Sequence, residues 1–420
     1  MLDINYIREN PDKVKEAAKN KNRIVDIDKI LELDDLRKKS IQDIQKKREE
    51  RNKLSKLKPN EITEKIRIQG TYLKQAIQKL EEQLKTVEEE FKNLMLHVPN
   101  VPLDEVPIGK DPSDNKELKK WGEIPKFNFK IKDHIQLGTE LDIFDLERGS
   151  KVSGFRGYFL KNEGAILQVA LLFYVLQKLT KKGYTPFIAP SIVKQFTLFG
   201  SGHFPWGSEQ DVYKLNDDDM YLAGTAEIPI TAYHSGETLQ EKDLPKRSVG
   251  FSPCFRKEAG AYGKDTKGLY RLHEFWKIEQ VILGKNNLDE ARKIHEELEQ
   301  NAEEILQDLK LPYRQLLMCT GDMGEPQLKK YDIETWMPSR NAYGETMSNS
   351  IMGEFQSRRL NIRYKTKEGK TEYVYTFNNT AIASPRILIA ILENYQQEDG
   401  SVKIPEVLQN LAGFSEIKRK

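Results

Sequence analysis

The chain has 420 residues, 38% of them hydrophobic and 31% charged, a length beyond one ordinary domain. No apolar run approaches the roughly 20 residues that cross a bilayer, and the N-terminus MLDINYIRENPDKVKEAAK has the texture of neither a signal nor a transit peptide, so a cytoplasmic protein without membrane segments is expected. Two cysteines, Cys254 and Cys319, and six histidines without paired spacing give no basis for a disulfide or a zinc site; the net charge is only +2.

Residues 1–100 read as helix. After a short amphipathic opening, one long helix is predicted over 28–57 and a second over 61–97, with Lys58-Pro59-Asn60 as the reversing turn. In the second, Leu73, Ile77, Leu80, Leu84, Val87, Phe91 and Leu94 alternate at spacings of four and three, a heptad seam. The first carries Ile30, Leu33, Ile44 and Leu54 on a comparable stripe, interrupted by Arg37, Ser40, Lys47 and Arg51. The pattern predicts an antiparallel two-helix arm. Residues 36–60 hold ten Lys/Arg against three acids, so basic charge gathers on the first helix and the turn. An oligomerisation zipper explains the heptads; a phosphate-tracking surface also explains the charge.

Residues 98–132, rich in proline, lysine and acids, read as a linker. Beyond it a helix over 162–182 stops at Gly183 and leads to a short strand over 184–188 ending at Pro190. Aromatic and β-branched runs then alternate with one amphipathic helix over 288–309, the texture of an α+β domain around an antiparallel sheet.

Four segments carry chemistry. In 248–283 two strand-like runs flank a basic loop with Gly260, Gly263, Lys264, Lys267 and Gly268. Period-two alternation puts Cys254, Arg256 and Glu258 on one face of the first run, and Arg271, His273, Phe275, Lys277 and Glu279 on one face of the second. Arginine for phosphate and phenylalanine for a purine suit a nucleotide, although a solvated hairpin with cross-strand ion pairs has the same pattern. In 375–396, Ser384 and Pro385 fit the N-cap and first position of an apolar helix, leaving Arg386 in its first turn, where a docked anion would compensate the helix dipole. Glu345 and Ser348 can share a magnesium ion, and Gly224-Thr225-Ala226-Glu227 sets a hydroxyl and a carboxylate beside a tight backbone.

Together these segments resemble the class II aminoacyl-tRNA synthetases, and the match narrows over essentially the whole chain to the bacterial-type seryl-tRNA synthetase family. The helix and strand ending at Pro190 look like the first class II motif, Phe255-Arg256-Lys257-Glu258 through Glu279 like the second, and the run through Arg386-Ile387-Leu388 like the third. The resemblance implies an antiparallel sheet flanked by helices with an N-terminal coiled-coil arm. It divides the chain into a tRNA-binding arm at 1–100 and a catalytic domain at 101–420. It further implies a homodimer and a serine–tRNA ligase that uses ATP, Mg2+, L-serine and tRNA(Ser), and it leaves charging of tRNA(Sec) open. By position it points serine to Thr225, Ala226, Glu227, Glu279 and Thr380. ATP is pointed to Arg256, Lys257, Glu258, Leu272, Phe275, Glu345, Thr346, Met347, Ser348 and Arg386. Magnesium falls to Glu345 and Ser348, and the catalytic charges are Arg256, Glu345 and Arg386.

The chain departs from many relatives at Ser350-Ile351-Met352 and in NNTAIASPR, which stands for a glycine-rich NGSGLAVGR. A related ligase that loads carrier proteins would lack the arm and tends to use zinc. A non-catalytic paralogue would not need the charged set.

Overall fold

In a computed structural model, residues 1–205, 211–216, 219–258 and 268–419 are described. Gly260, Gly263, Lys264 and Lys267 of the basic loop lie outside them. The chain divides into two compact units, Met1–Val101 and Pro102–Lys420.

The first unit holds α1 (Ile4–Glu9), α2 (Pro11–Asn20), α3 (Ile27–Leu54) and α4 (Glu64–Leu96). Asp26 caps α3 by accepting from the Lys29 amide at 2.9 Å, and Thr63 caps α4. A 3-10 turn at Pro59–Glu61 reverses the chain. With 28 and 33 residues, α3 and α4 run about 42 and 50 Å. Leu73 and Ile77 are buried in the seam, while Leu80, Leu84, Val87 and Phe91 are half-buried, since a hairpin offers each helix one partner. Two of the cations that interrupt the α3 stripe are used across the pair: Arg37 lies 5.4 Å over the Phe91 ring and Lys47 lies 5.9 Å over Tyr72; Arg48, beside them, pairs with Glu81 at 2.6 Å. Of the basic residues in 36–60, only Arg37 and Lys47 are withdrawn from full exposure.

The second unit is built on an eight-stranded sheet. Its strands in chain order are β1 (Lys116–Trp121), β2 (Thr185–Ile188), β3 (Lys246–Phe255), β4 (Glu274–Gly284), β5 (Tyr313–Leu317), β6 (Lys329–Met337), β7 (Ala342–Gly353) and β8 (Tyr375–Ala383). They lie in the spatial order β1-β5-β6-β7-β8-β4-β3-β2. Every pairing is antiparallel except β2 with β3. Three helices pack on the sheet: α5 (Asn162–Lys181), α7 (Leu288–Asp308) and α8 (Ser384–Asn394). Leu167 and Leu171 of α5, Leu298 and Ile305 of α7, and Ile387 and Ile391 of α8 share one buried core with Ile278, Ile282 and Phe377 of the central strands. A short helix, α6 (Glu227–Ala232), precedes β3.

Two expectations change. The presumed linker 98–132 contains the edge strand β1, which pairs with β5; all six of its side chains are exposed, so no hydrophobic alternation marked it. Ser384 does not cap α8. The cap position falls on Ala383, and the Ser384 hydroxyl donates instead to Gln168 Oε1 at 2.9 Å.

Candidate active site

The central strands β7, β8 and β4, the N-terminus of α8 and the segment 269–272 line an open cleft of roughly 660 Å³, solvent at its mouth included. Of the ATP positions named above, Arg256, Glu258, Leu272, Phe275, Glu345, Thr346, Met347, Ser348 and Arg386 line it, and Thr380 of the serine set joins them. Lys257 does not. It lies 5.6 Å over the Tyr213 ring, because adjacent residues in extended chain point to opposite sides and Arg256 takes the cleft side.

The phosphate-type chemistry is concentrated at two guanidiniums. Arg386, in the first turn of α8, donates to the Glu345 carbonyl at 2.9 Å and carboxylate at 3.2 Å, and lies 4.6 Å over the Tyr270 ring. Burial pushes the Glu345 carboxyl up, but Arg386 and then Lys330 outweigh it and hold the group below its usual range. Arg256 follows β3, donates to the Gly224 carbonyl at 3.3 Å and lies 5.3 Å over Phe275. Glu258 sits at φ +53° and accepts from Arg271 at 2.9 Å, a cleft residue the sequence placed on the polar face without a task.

Beside this cleft the serine positions form a buried polar network. Thr225 Oγ1 accepts from the Lys277 ammonium at 2.7 Å and from the Glu227 amide at 3.2 Å. Lys277 also pairs with Glu279 at 2.5 Å, and Thr380 donates to the same Glu279 oxygen at 3.1 Å. Glu227 is buried behind Thr225 and accepts from Gln356 at 2.7 Å and Asn378 at 3.0 Å. Burial, then the nearby Glu279 charge, push its carboxyl up to about 7. Ala226 is fully buried, its methyl against Gly250 of β3. Asn379, in the departing NNTAIASPR run, is buried on Gln280 and adds no group to the cleft.

Another buried carboxylate buttresses the cleft wall. Glu393 of α8 accepts from the His134 amide at 3.0 Å and from Ser339 Oγ at 2.8 Å, and its Oε1 lies 3.1 Å from the His134 ring Nδ1. The other ring nitrogen accepts from the Leu269 amide at 3.2 Å, which fixes the tautomer and pins the segment bearing Tyr270, Arg271 and Leu272.

The fold and this site have close relatives. Residues 1–102 match the seryl-tRNA synthetase N-terminal domain, and 211–395 match the tRNA synthetase class II core domain (G, H, P, S and T). A serine–tRNA ligase of Deinococcus radiodurans is 45% identical over 420 residues, covering 99% of both chains. The chain belongs to the seryl-tRNA synthetase family. Another serine–tRNA ligase, from Treponema denticola, is 44% identical over 99% of this synthetase and 100% of its own length. The crystal structure of the seryl-tRNA synthetase of Pyrococcus horikoshii complexed with ATP superposes with a TM-score of 0.93 at 39% identity over 100% of both chains. The Naegleria fowleri cytoplasmic enzyme in complex with AMP gives 0.88 at 31% identity, covering 100% of this chain and 99% of its own.

Proposed function

We propose that this synthetase activates L-serine with ATP in the cleft between Arg256 and Arg386, then passes the seryl group to the 3′ end of tRNA(Ser). One observation carries the reading: a cleft bordered by two guanidiniums and a carboxylate adjoins the Thr225–Lys277–Glu279–Thr380 network. The serine carboxylate is already an anion, so the first step needs no general base. Its oxygen attacks the α-phosphorus in line, the bond to the β-phosphate oxygen breaks, and pyrophosphate leaves. Positioning and charge stabilisation are the protein's tasks. Arg256 is assigned to the α-phosphate, Arg386 to the γ-phosphate and Phe275 to the purine face. Thr225 and Glu227 receive the serine ammonium, and Glu279 with Thr380 its hydroxyl. In the second step the terminal ribose 3′-hydroxyl of tRNA attacks the seryl carbonyl and AMP leaves.

Glu345 and Ser348 offer hard oxygen donors on one wall, a set suited to magnesium that keeps its remaining positions for water and phosphate. The ion would neutralise charge on the phosphate oxygens. Exposed apolar side chains support the homodimer: Ile166, Val169 and Phe173 of α5, Ile188 of β2, and Ile192 and Phe196 beyond it. The exposed cations of α3 support its assignment to tRNA phosphates. No helix among the described residues is long and apolar enough to cross a membrane, and a cytoplasmic setting accords with the free Cys254 and Cys319. Serine-dependent ATP–pyrophosphate exchange tests the reading. Exchange with serine, little with alanine or threonine, and loss in Arg256→Ala are expected; near-normal exchange in that variant would remove the assignment.

A further inference from the structure

Lys277 and Glu279 are two residues apart on β4, on the same side of the strand, with side chains only 5% and 2% exposed. An ammonium or a carboxylate buried alone is costly and tends to its neutral form; buried as a pair they compensate each other. The pairing is also selective about oxygens. Glu279 Oε2 takes both the Lys277 ammonium at 2.5 Å and the Thr380 hydroxyl at 3.1 Å, while Oε1 has no hydrogen-bond partner among the described residues. The same ammonium reaches Thr225 Oγ1 at 2.7 Å and Thr380 Oγ1 at 3.4 Å. Lys277 therefore joins three of the four side chains assigned to serine, and it lines the cleft.

We propose that Lys277 is a specificity-determining residue, which secures selection for a hydroxyl-bearing amino acid by committing one oxygen of Glu279 and leaving the other as a bare acceptor for the substrate hydroxyl. The proposal rests on the serine-pocket assignment above. A carboxylate of this kind can only accept. Serine satisfies it with a charge-assisted hydrogen bond; alanine leaves the carboxylate oxygen without that donor, a mismatch that reaches about 10⁴-fold in sites built to bond a hydroxyl. Without the ammonium, nothing holds Oε2 in place, and neither oxygen is presented to the substrate hydroxyl in a fixed position.

The test is pyrophosphate exchange with serine and with alanine on the full-length wild type, Lys277→Gln, Lys277→Arg and Glu279→Gln, with thermal melts for each. In Lys277→Gln the ratio of kcat/KM for serine to that for alanine should fall by roughly 10² or more, chiefly through serine. Lys277→Arg keeps the charge and should retain most of the ratio while both rates decline. A residue that only props the fold would lower both amino acids together, so an unchanged ratio in Lys277→Gln overturns the proposal. Should Lys277→Gln not fold, Lys277→Arg decides: a ratio retained supports the proposal, and a ratio lost with the charge kept overturns it. Wild-type serine kinetics in Glu279→Gln would instead overturn the serine-pocket assignment itself.

Discussion

Glu345 and Ser348 are three residues apart on β7, yet both face the cleft. On a regular strand an odd separation sends side chains to opposite faces. Here Glu345 pairs with Glu334 and Met347 with Ile333, leaving Thr346 as the extra residue of a bulge, its hydroxyl bonded to Thr335 and to the Ile333 carbonyl. The bulge re-aims Glu345 toward Arg386 while Met347 stays in the core.

Glu345→Ala should therefore lower serine-dependent pyrophosphate exchange by roughly 10²- to 10³-fold, the usual consequence of losing one electrostatic contact to the reacting group. Melting temperature should change little, since the carboxylate is partly exposed and its partner Arg386 keeps the Glu345 carbonyl. Exchange within a few-fold of wild type would count against the role.

Glu227 carries a pH signature. Its folded carboxyl is raised to about 7 from an ordinary 4.5, so the native state binds the proton more tightly than the unfolded chain. Stability is then greatest below the unfolded value and declines as pH rises toward 7, by about 3 kcal/mol in all. Glu227→Gln removes the titration. Its melting temperature relative to wild type should climb between pH 5 and pH 8; a difference independent of pH would refute the linkage.

Gly250 permits the close approach of α6 to the sheet. A Cβ there would meet the Ala226 methyl at 2.8 Å and Ile230 Cδ1 at 2.3 Å. Gly250→Ala should push α6 outward with Thr225 and Glu227, raising KM for serine at least tenfold while KM for ATP changes much less. Steady-state exchange kinetics measure both.

His134→Ala removes the acceptor for the Leu269 amide and one donor to Glu393. The cleft wall bearing Tyr270 to Leu272 loses its anchor, so KM for ATP should rise more than KM for serine. Equal rises would mean a general loss of packing.

Deletion of residues 36–92 should spare adenylate formation and abolish charging of tRNA. Parallel loss of exchange and aminoacylation would contradict a role confined to tRNA.

The arm was legible because its seam repeats over many turns, and the polar faces of β3 and β4 because a period of two sorts side chains. What the pattern could not give was burial. In the sequence Lys277 and Glu279 are two charges on one polar strand face; only the fold brings Thr225, 52 positions earlier, and Thr380, 103 later, onto the lysine ammonium. The bulge at Thr346 was equally hidden, since it depends on the register of β6 against β7. The edge strand β1 was missed for the opposite reason, as it buries none of its side chains.

The β2 edge bears on handling as well as assembly. Ile188 is 87% exposed on a terminal strand whose outer backbone groups meet no further strand of the sheet, an invitation to pair with another chain. In the homodimer proposed above, native stability becomes a function of protein concentration. Dilution would then lower the melting temperature and expose the β2 edge, and storage at high concentration would protect the enzyme.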